Sequence, residues 1–257
     1  MSDIPARLAA LREPAPAQLA PGVLARTGLA DRYAARPSPL GPVFVAFTPR
    51  GVSMVGLATD PAVFEERYRA RLGREVVPAD GLPARLAAAV DRALAEGRTR
   101  GVPVDLAGLS EFQAAVLHLA AGIPAGEVRP YGWVAREIGR PGSDRAVGNA
   151  LAANPVPLVV PCHRVVRADG RFGRYSLGAD ANKRLLLEAE GLEVAAYEAL
   201  ATRGVRYLGS ATTCIYCHPT CRHARRITGR HRVEFRDDHA AARAGFRPCH
   251  DCRPAAA

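Results

Sequence analysis

Residues 145–166 read RAVGNALAANPVPLVVPCHRVV, in which a long uncharged run leads to a cysteine, a histidine and an arginine. No residue from position 146 to position 162 carries a charge, and His163 and Arg164 follow directly after Cys162. We expect this run to be buried, which places the thiol of Cys162 beside two side chains that can carry positive charge. A thiol in that position is either an inert core residue or a thiolate activated by its neighbours.

The overall composition limits the class of protein. The chain has 257 residues, of which 48% are hydrophobic, enough for one large core or two smaller ones in one to three domains. Its first residues contain arginines but no apolar segment, so no export signal is predicted. The longest uncharged run is interrupted by prolines and is shorter than the about 20 residues that a membrane-spanning helix needs. A cytoplasmic protein without a membrane partner is expected.

Positive charge is concentrated near the end of the chain. The formal net charge is +10, and residues 203–253 contain eleven arginines but only four aspartates and glutamates. Such clustering is typical of a surface that meets a polyanion, although a solvated arginine-rich face has the same composition. Nucleic acid is the favoured partner on this ground, and the other interpretation stays open.

The six cysteines divide the chain in the same way. Cys162 stands alone, whereas the other five lie between positions 214 and 252. An odd number of clustered cysteines without an export signal disfavours a disulfide framework and favours a metal site.

The first part of the chain predicts a small α+β domain that ends near residue 105. Residues 13–41 are rich in proline and are expected to form an irregular lead-in. The run PVFVAFTPRGVSMVGLAT, residues 42–59, predicts two strands joined by a hairpin at Pro49, Arg50 and Gly51. The run ARLAAAVDRALAEG, residues 84–97, predicts a helix.

A helix is predicted next, in residues 112–122, which read FQAAVLHLAAG. Ser110 and Gln113 form a capping-box pattern at its start. The face expected to be apolar consists of Phe112, Val116 and Leu119. His118 is interpreted as a partly buried packing residue rather than a ligand.

Two short helices then predict a helix-turn-helix. They are YGWVAREIG, residues 131–139, and DRAVGNALAAN, residues 144–154, joined by RPGS with Ser143 as the expected N-cap. Helix pairs are common in many folds, so this pattern alone identifies no function.

The segment around the cysteine predicts β structure. LVVP, residues 158–161, reads as a strand that leads to Cys162, and RVVRADGRFGRYS, residues 164–176, as a hairpin with a type I′ turn at Asp169 and Gly170.

A helix is expected after this hairpin, in residues 181–191, which read ANKRLLLEAEG. Leu185 and Leu186 are expected to face the core, and the helix to end at Gly191. Glu190 lies in the last turn, where the helix dipole does not favour a carboxylate. It is therefore either held by a local partner or exposed on the surface.

These residues carry a resemblance to a known family. The run RAVGNALAANPVPLVVPCHRVV resembles the O6-alkylguanine-DNA alkyltransferases, together with Tyr131 upstream and YS (175–176) and EAEG (188–191) downstream. The resemblance spans about residues 105–191, and SPLGPVFVAF, residues 38–47, is similar to the family's first domain. It implies suicide transfer of an alkyl group from guanine O6 in double-stranded DNA to Cys162, with the base flipped out of the helix.

The resemblance also implies roles for individual residues. His163 would take the thiol proton through a water, Glu190 would orient His163, and Tyr131 would donate to a ring nitrogen of the base. Asn154 lies in the family's hinge before the cysteine. The base pocket would be lined by the carbonyl of Val165 and by Tyr175 and Ser176, and Arg145 would replace the extruded base in the stack. The family implies a DNA-bound monomer that approaches the minor groove and reacts once.

Two further comparisons with the family concern specificity. LGADAN, residues 177–182, departs from the family's usual glycine-rich run, which bears on the size of alkyl group accepted. Related proteins that bind alkylated DNA without repairing it carry tryptophan in place of the cysteine, so Cys162 disfavours that reading.

The cysteine-rich tail predicts a zinc site. TTCIYCHPTCRHARR, residues 212–226, and AGFRPCHDCRP, residues 244–254, contain Cys217-x3-Cys221 and Cys249-x2-Cys252, a four-thiolate set suited to tetrahedral zinc. The stretch resembles the zinc-binding domain of the adaptive-response protein Ada over about residues 203–254. That resemblance implies that Cys217 is a second methyl acceptor, for DNA methylphosphotriesters. Arg226 and Arg247 are candidate phosphate contacts.

The ligand set has alternatives. Cys214 and Cys217 are themselves at ligand spacing, but the YC-x-P-x-C frame of the family favours Cys217 with Cys221. Histidines adjacent to the ligands are substitutes that stay open: His218, His223 and His250. The region that resembles the zinc domain follows the region that resembles the alkyltransferase, which reverses the family's order, and we expect no activator helix pair after it. A purely structural zinc unit that anchors DNA therefore also stays open.

The predicted architecture combines these parts. The fold class is α/β in the α+β arrangement, with an N-terminal α+β domain at residues 1–104 and a helix-turn-helix, winged-helix-like alkyltransferase domain at residues 105–195. A small four-cysteine zinc domain at residues 203–254 completes it, with one zinc ion and no organic cofactor. Two other hypotheses remain: a non-enzymatic module that senses alkylation or binds DNA, and a redox or metal-storage protein.

Overall fold

The computed structural model describes residues 23–24 and 27–254. The start of the predicted lead-in, up to residue 22, lies outside the described residues. Within the rest of the lead-in the prediction is wrong, because Ala30–Arg36 forms strand β1. The buried residues of that strand, Tyr33 among them, do not alternate with exposed ones, and neighbouring prolines and glycines further obscured the strand in the sequence.

The N-terminal sheet contains four strands in the order β3-β2-β1-β4. Strands β2 (Val43–Thr48) and β3 (Gly51–Leu57) form the predicted hairpin, and β1 pairs antiparallel with β2 in the register Ala34 to Val45. Strand β4 (Glu75–Pro78) pairs parallel with β1. The hairpin prediction is confirmed.

Two helices accompany this sheet. Helix α1 (Pro61–Leu72) begins at Asp60, whose side chain accepts the Ala62 N–H, and buries only Phe64 and Tyr68. This weak pattern explains why the sequence did not predict it. Helix α2 (Ala84–Glu96) is confirmed where the sequence predicted it.

Helix α3 (Glu111–Ala121) has the predicted capping box: the Gln113 N–H donates to Ser110 Oγ at 3.3 Å, and Ser110 N–H to Gln113 Oε1 at 3.0 Å. Its fully buried residues are Val116, Leu117 and Ala120. His118 is exposed, so the prediction that it packs is wrong. The predicted apolar face does contact the core: Val116 is fully buried, and Phe112 and Leu119 are partly buried against it.

The helix-turn-helix consists of α4 (Tyr131–Glu137) and α5 (Asp144–Ala152), which pack against each other. Ser143 occupies the N-cap position of α5, as predicted, but its hydroxyl donates to the Arg140 carbonyl at 2.7 Å and does not cap the helix.

The predicted strand before Cys162 is absent from the described structure. Residues 155–161 form turns, because Pro155, Pro157 and Pro161 lack the N–H groups that a strand ladder needs. Cys162–Arg164 forms a short 3₁₀ helix, and β6 (Val165–Val166) then pairs parallel with β5 (Arg129–Pro130).

The predicted hairpin after β6 is also wrong. A turn does form, since the Gly170 N–H donates to the Arg167 carbonyl at 2.9 Å. Gly170 has φ 80°, but Asp169 is not among the described residues with positive φ, so the turn is not type I′. The residues that follow it form no strand in the described chain.

Helix α6 (Ala181–Ala189) is followed by α7 (Val194–Thr202), which the sequence did not predict. Leu186 of α6 is buried, as predicted, but Leu185 is 50% exposed, which corrects that prediction. Leu187 and Lys183 take the other buried positions.

Residues 203–254, here called the cysteine-rich unit, form a second sheet in the order β10-β8-β7-β9. Its elements are β7 (Tyr207–Ser210), β8 (Ile215–Cys217), β9 (Arg232–Phe235), α8 (Asp238–Arg243) and β10 (Arg247–Pro248). Two short 3₁₀ helices, Ala224–Arg226 and Gly229–His231, connect β8 with β9.

The largest apolar core is continuous across residue 104. It joins Val45 and Val90 of the N-terminal part with Val116, Trp133 and Val160 of the central part. A separate small core surrounds the clustered cysteines. No helix in the described part of the chain is both long and apolar enough to cross a membrane.

Candidate active site and metal centre

The loop before Cys162 is held by Asn154. The Asn154 amide nitrogen donates to the Val160 carbonyl at 2.9 Å, and its oxygen accepts the Val156 N–H at 3.0 Å. The Cys162 N–H donates to the Val160 carbonyl at 2.8 Å. Leu158, inside the loop, has φ 71°, a conformation that is strained for a side chain of this size. Asn154 therefore fixes the backbone that presents the thiol.

The thiol of Cys162 is buried, with 5% of the residue exposed. Burial raises its pKa, while a hydrogen bond from Asn154 and the charge of Lys183 act in the opposite direction. The surroundings thus combine desolvation with groups that favour the thiolate.

Glu190 meets both neighbours of the cysteine. His163 Nε2 lies 2.8 Å from Glu190 Oε1, and Arg164 donates to the same carboxylate from Nη2 at 2.6 Å and from Nε at 2.9 Å. His163 and Arg164 are 2% and 1% exposed. Of the two alternatives for Glu190, a local partner or an exposed position, the structure shows the local partner.

The pKa values follow from this arrangement. Burial alone would raise the pKa of Glu190, but the hydrogen bond and charge of His163 and the Arg164 ion pair outweigh it and lower the pKa to about 2. Burial lowers the pKa of His163, against the opposing effect of Glu190. His163 Nδ1 has no hydrogen-bond partner among the described residues, so it is the ring nitrogen left to accept a proton.

Arg164 is anchored on three sides. Besides Glu190, it donates to the Ile123 carbonyl at 2.5 Å and to the Gly97 carbonyl at 2.6 Å. Gly97 has φ 65°, and a Cβ there would lie 2.7 Å from Arg164 Nη2 and 2.8 Å from Glu190 Oε1. The end of α2 therefore closes over the ion pair and needs glycine at this position.

Lys183 is a site residue that the sequence analysis missed. It is 1% exposed, and its Nζ donates to the Val165 carbonyl at 2.6 Å. Burial lowers its pKa to about 8, and the nearby thiol of Cys162 opposes that shift. The signal was its spacing three and four residues before the buried Leu186 and Leu187, which places it on the core face of α6.

Two tyrosines lie near the thiol. Tyr131 begins α4 and is partly buried; burial and Cys162 raise its pKa. A Cβ at Gly148 of α5 would lie 3.8 Å from the Tyr131 ring, so α5 passes close to it. The ring of Tyr175 lies edge-on to His163 at 6.2 Å, and its buried hydroxyl has no partner among the described residues. Ser176 is exposed.

Arg145 lies in the first turn of α5 and is exposed. None of the ion pairs formed within residues 27–254 involves it. Its guanidinium is therefore available on the surface of the second helix of the helix-turn-helix.

The four predicted thiols of the tail meet in one cluster. The sulfurs of Cys217, Cys221, Cys249 and Cys252 lie within 4.8 Å of one another, and all four residues are buried. Strands β8 and β10 are parallel, so Cys217 at the end of one and Cys249 after the other reach the same edge of the sheet. Turns then bring Cys221 and Cys252 to that edge.

This donor set fits zinc. Four thiolates at Zn–S distances of about 2.3 Å lie about 3.8 Å apart in a tetrahedron, which is within the span of the cluster. Cys214 is exposed and lies outside the cluster. The neighbouring histidines do not join it either: His218 is buried, His223 pairs with Asp251 at 2.6 Å, and His250 is exposed.

A cavity of about 420 Å³ opens beside Cys217. Arg226 and Arg247, the candidate phosphate contacts, both line it, as does Cys249. A thiol of the metal cluster thus borders a cavity that carries two guanidinium groups.

Two family models match the chain. Residues 111–192 match the 6-O-methylguanine DNA methyltransferase, DNA binding domain, and residues 195–255 match the metal binding domain of Ada. The first match contains the helix-turn-helix, Cys162 and Glu190. The second contains the four-cysteine cluster.

Comparisons with individual proteins agree with the first family model. A methylated-DNA–protein-cysteine methyltransferase of Methanosarcina acetivorans is 33% identical over 168 residues, 62% of this chain and 97% of that protein. One of Methanothermobacter thermautotrophicus is 45% identical over 91 residues, 35% of this chain, so the chain spans only 50% of that relative. The crystal structure of Mycobacterium tuberculosis OGT in complex with DNA is similar with TM-score 0.51 and 32% identity, covering 62% of this chain and 92% of that one.

Proposed function

The chain belongs to the methylated-DNA–protein-cysteine methyltransferase family, and we propose that it repairs O6-alkylguanine in double-stranded DNA by one transfer of the alkyl group to Cys162. The observation that carries the proposal is the surroundings of the thiol. A buried cysteine adjoins a histidine that is held by a carboxylate, and a buried lysine lies nearby. An inert core cysteine needs none of these groups.

The reaction is a displacement at a saturated carbon. The thiol proton passes to His163 Nδ1 through a water, and Glu190 holds the ring by Nε2. The sulfur of Cys162 then forms a bond to the alkyl carbon while the bond from that carbon to O6 breaks. The electron pair of the broken carbon–O6 bond passes to guanine, which takes a proton from Tyr131. The proton held by His163 then returns through solvent to the Tyr131 oxygen, so that the thiol has lost one proton and the base has gained one.

Access to the alkylated atom requires that the base leave the duplex, because the reactive carbon is not reachable inside the stack. Arg145 is exposed on α5 and is proposed to fill the gap left by the base. The base would lie between the Val165 carbonyl, Tyr175 and Ser176, while the helix-turn-helix holds the phosphates. Minor-groove contacts carry little sequence information, which suits repair at any site.

The thioether formed at Cys162 has no route back to a thiol, so the protein acts once. Titration of the protein with a duplex that carries O6-methylguanine tests this. The lesion is expected to disappear in a one-to-one ratio with protein, and Cys162→Ser is expected to remove none. Turnover of several lesions per chain contradicts the proposal.

The flipping role of Arg145 has its own test. Arg145→Ala is expected to lower the transfer rate on a duplex by about tenfold or more and to leave the rate with the free base O6-methylguanine unchanged, because the free base needs no extrusion. Arg67→Ala, an exposed arginine on α1, is the matched control. An equal loss with the free base contradicts the assignment.

A second acceptance at Cys217 is proposed for methylphosphotriesters in DNA. Bound zinc keeps the sulfur as a thiolate, which is the form that accepts a methyl group. Arg226 and Arg247 line the cavity beside Cys217 and would contact the flanking phosphates. Conversion of one thiolate to a thioether removes one negative charge, which strengthens binding to DNA.

The alternative function is a non-enzymatic module that senses alkylation or binds DNA, in which Cys217 alone reacts. It is favoured by the arginine-lined cavity, and it predicts no transfer to Cys162 when Cys217 is replaced. Methylation of Cys162 in Cys217→Ala excludes it.

We also propose the setting in which the protein works. Residues 1–104, 105–195 and 203–254 act as an N-terminal domain, the alkyltransferase domain and the zinc domain of a monomer. The cytoplasm is the proposed location, because a reducing compartment keeps Cys162 and the four clustered cysteines as thiols.

A further inference from the structure

The cysteine-rich unit is joined to the alkyltransferase site by a buried junction. The Val128 N–H donates to Thr220 Oγ1 at 2.9 Å, and the Arg222 N–H donates to Glu127 Oε1 at 2.9 Å. Glu127, Val128 and Thr220 are each no more than 3% exposed. A buried N–H is costly to leave without a partner, so the bond to Thr220 fixes the backbone at Val128.

The same short segment, residues 126–131, reaches the reacting groups. The Gly126 N–H donates to Glu190 Oε2 at 3.0 Å. Arg129 pairs with Val165 in the β5-β6 ladder, and Tyr131 opens α4 at the end of the segment. Within six residues the backbone therefore contacts the carboxylate that holds His163, the cysteine-rich unit, and the strand after Cys162.

Helix α4, which begins at Tyr131, is held by the end of the cysteine-rich unit. The indole N–H of Trp133 donates to the Arg253 carbonyl at 2.9 Å, and Arg136 donates to the Pro254 carbonyl at 3.1 Å. The Arg253 side chain pairs with Glu137 at 2.6 Å. The helix is thus attached along its length to the last described residues.

The contacts made by the cysteine-rich unit come from residues within two positions of a predicted zinc ligand. Thr220 and Arg222 flank Cys221, and Arg253 and Pro254 follow Cys252. The two loops have little regular structure of their own, and the four clustered sulfurs bring them together. A change in the cluster would therefore reach the segment that carries Tyr131.

We propose that the zinc unit is a positioning element of the Cys162 site, which acts through Thr220 on residues 126–131 and through Arg253 on α4. The inference rests on the proposed function, because its readout is transfer to Cys162. Thr220 and Arg253 touch neither the reacting atoms nor the thiol. They hold in place the backbone that bonds Glu190 and leads to Tyr131, and a displacement of about 1 Å in such groups can lower rates by up to about 100-fold.

The test compares three variants of the full, zinc-loaded chain. Thr220→Val removes the hydroxyl and keeps the shape, Thr220→Ser restores the hydroxyl, and Thr202→Val is the control because the Thr202 hydroxyl bonds only within α7. Zinc content is measured for each. Transfer to Cys162 is followed with an O6-methylguanine duplex and with the free base O6-methylguanine, and hydrogen exchange is followed at residues 126–137.

Thr220→Val is expected to retain zinc, to lose about tenfold or more of the rate with both substrates, and to exchange faster at residues 126–137. Thr220→Ser and Thr202→Val are expected to match wild type. A loss with the duplex alone means that the unit only anchors DNA, and an unchanged rate means that the junction does not position the site; either result overturns the proposal.

A second variant covers the case in which Thr220→Val fails to fold. Trp133→Phe keeps an aromatic ring but removes the bond to the Arg253 carbonyl, and it is expected to slow transfer with both substrates and to raise exchange along α4. Wild-type rate or unchanged exchange overturns the proposal. If wild type itself transfers no methyl to Cys162, the proposed function fails, and the exchange data then judge the junction separately.

Discussion

Glu190 Oε1 lies 2.8 Å from His163 Nε2, although 27 residues separate the two side chains. The carboxylate sits at the C-terminal end of α6, where the helix itself does not favour negative charge. Arg164 compensates for that position by its bonds to both carboxylate oxygens. Glu190, held by Arg164, therefore orients the buried His163, which follows Cys162 in the chain. This arrangement is the geometric basis of the proposed proton transfer.

Glu190→Gln tests how much the buried ion pair between Glu190 and Arg164 contributes to stability. The neutral amide leaves Arg164 as an uncompensated buried cation, so we expect the free energy of unfolding to fall by about 3–5 kcal/mol. Denaturant titration measures it. Glu198→Gln is the control, because Glu198 pairs with Arg184 at an exposed site, where a loss of about 1 kcal/mol or less is expected. Equal losses in both variants would contradict the account.

Lys183→Met tests the charge that favours the thiolate. Lys183 acts to lower the pKa of Cys162, so its removal raises that pKa, and a smaller fraction of the thiol is ionised at pH 7. Each unit of increase lowers the rate of iodoacetamide labelling at Cys162 about tenfold at that pH, and the labelling profile moves to higher pH.

The labelling is read by peptide mass, which separates Cys162 from the exposed Cys214. Arg184→Met, one position along α6 and with its side chain 43% exposed, is the control. A profile that stays in place, or moves to lower pH, would show that Lys183 supports the backbone only.

Gly97→Ala tests the closure of α2 over the ion pair. The added methyl would lie 2.7 Å from Arg164 Nη2 and in a backbone with φ 65°. Gly73→Ala has almost the same φ, 66°, at the end of α1, but its Cβ meets nothing within 4 Å. Both variants carry the backbone cost of about 1 kcal/mol, and only Gly97→Ala is expected to lose a further 1–3 kcal/mol or so and to slow transfer. Thermal unfolding and transfer rates of the two variants, compared side by side, decide the point.

Cys249→Ser and Cys214→Ser test the ligand set. Cys249 belongs to the four-sulfur cluster, whereas Cys214 lies outside it and is exposed. We expect Cys249→Ser to lose most of its zinc at micromolar protein and to expose the tail to protease, because a three-thiolate site binds the metal more weakly. Cys214→Ser is expected to keep one zinc ion per chain. Zinc loss from Cys214→Ser would assign the metal to a different set of thiols.

The sequence predicted the parts of the site that lie close together along the chain. The motif around Cys162 and the two cysteine pairs of the tail can be recognised from the spacing of their residues. In the structure His163 contacts Glu190, and the four cysteines of the tail meet in one cluster. Lys183 was missed because lysine is seldom buried, although its spacing three and four residues before Leu186 and Leu187 places it on the core face of α6. The apolar residues at 158–161 suited a strand, but this prediction was wrong. The prolines in and next to this segment lack the backbone N–H groups that strand pairing needs.

The junction between Val128 and Thr220 was beyond sequence reasoning for another reason. The two residues are 92 positions apart and carry no motif, and their contact depends on how two separately predicted units pack. Only the folded chain shows that the backbone leading to Tyr131 is bonded to a loop of the cysteine cluster.

The central claim is that Cys162 accepts an alkyl group from guanine. The most direct test is peptide mass spectrometry of the zinc-loaded protein after incubation with a duplex that carries a single O6-methylguanine, and separately with one that carries a single methylphosphotriester. The account predicts the mass of one added methylene on the Cys162 peptide from the first duplex, and on the Cys217 peptide from the second. An unmodified Cys162 peptide, with protein in excess and the lesion intact, would contradict it.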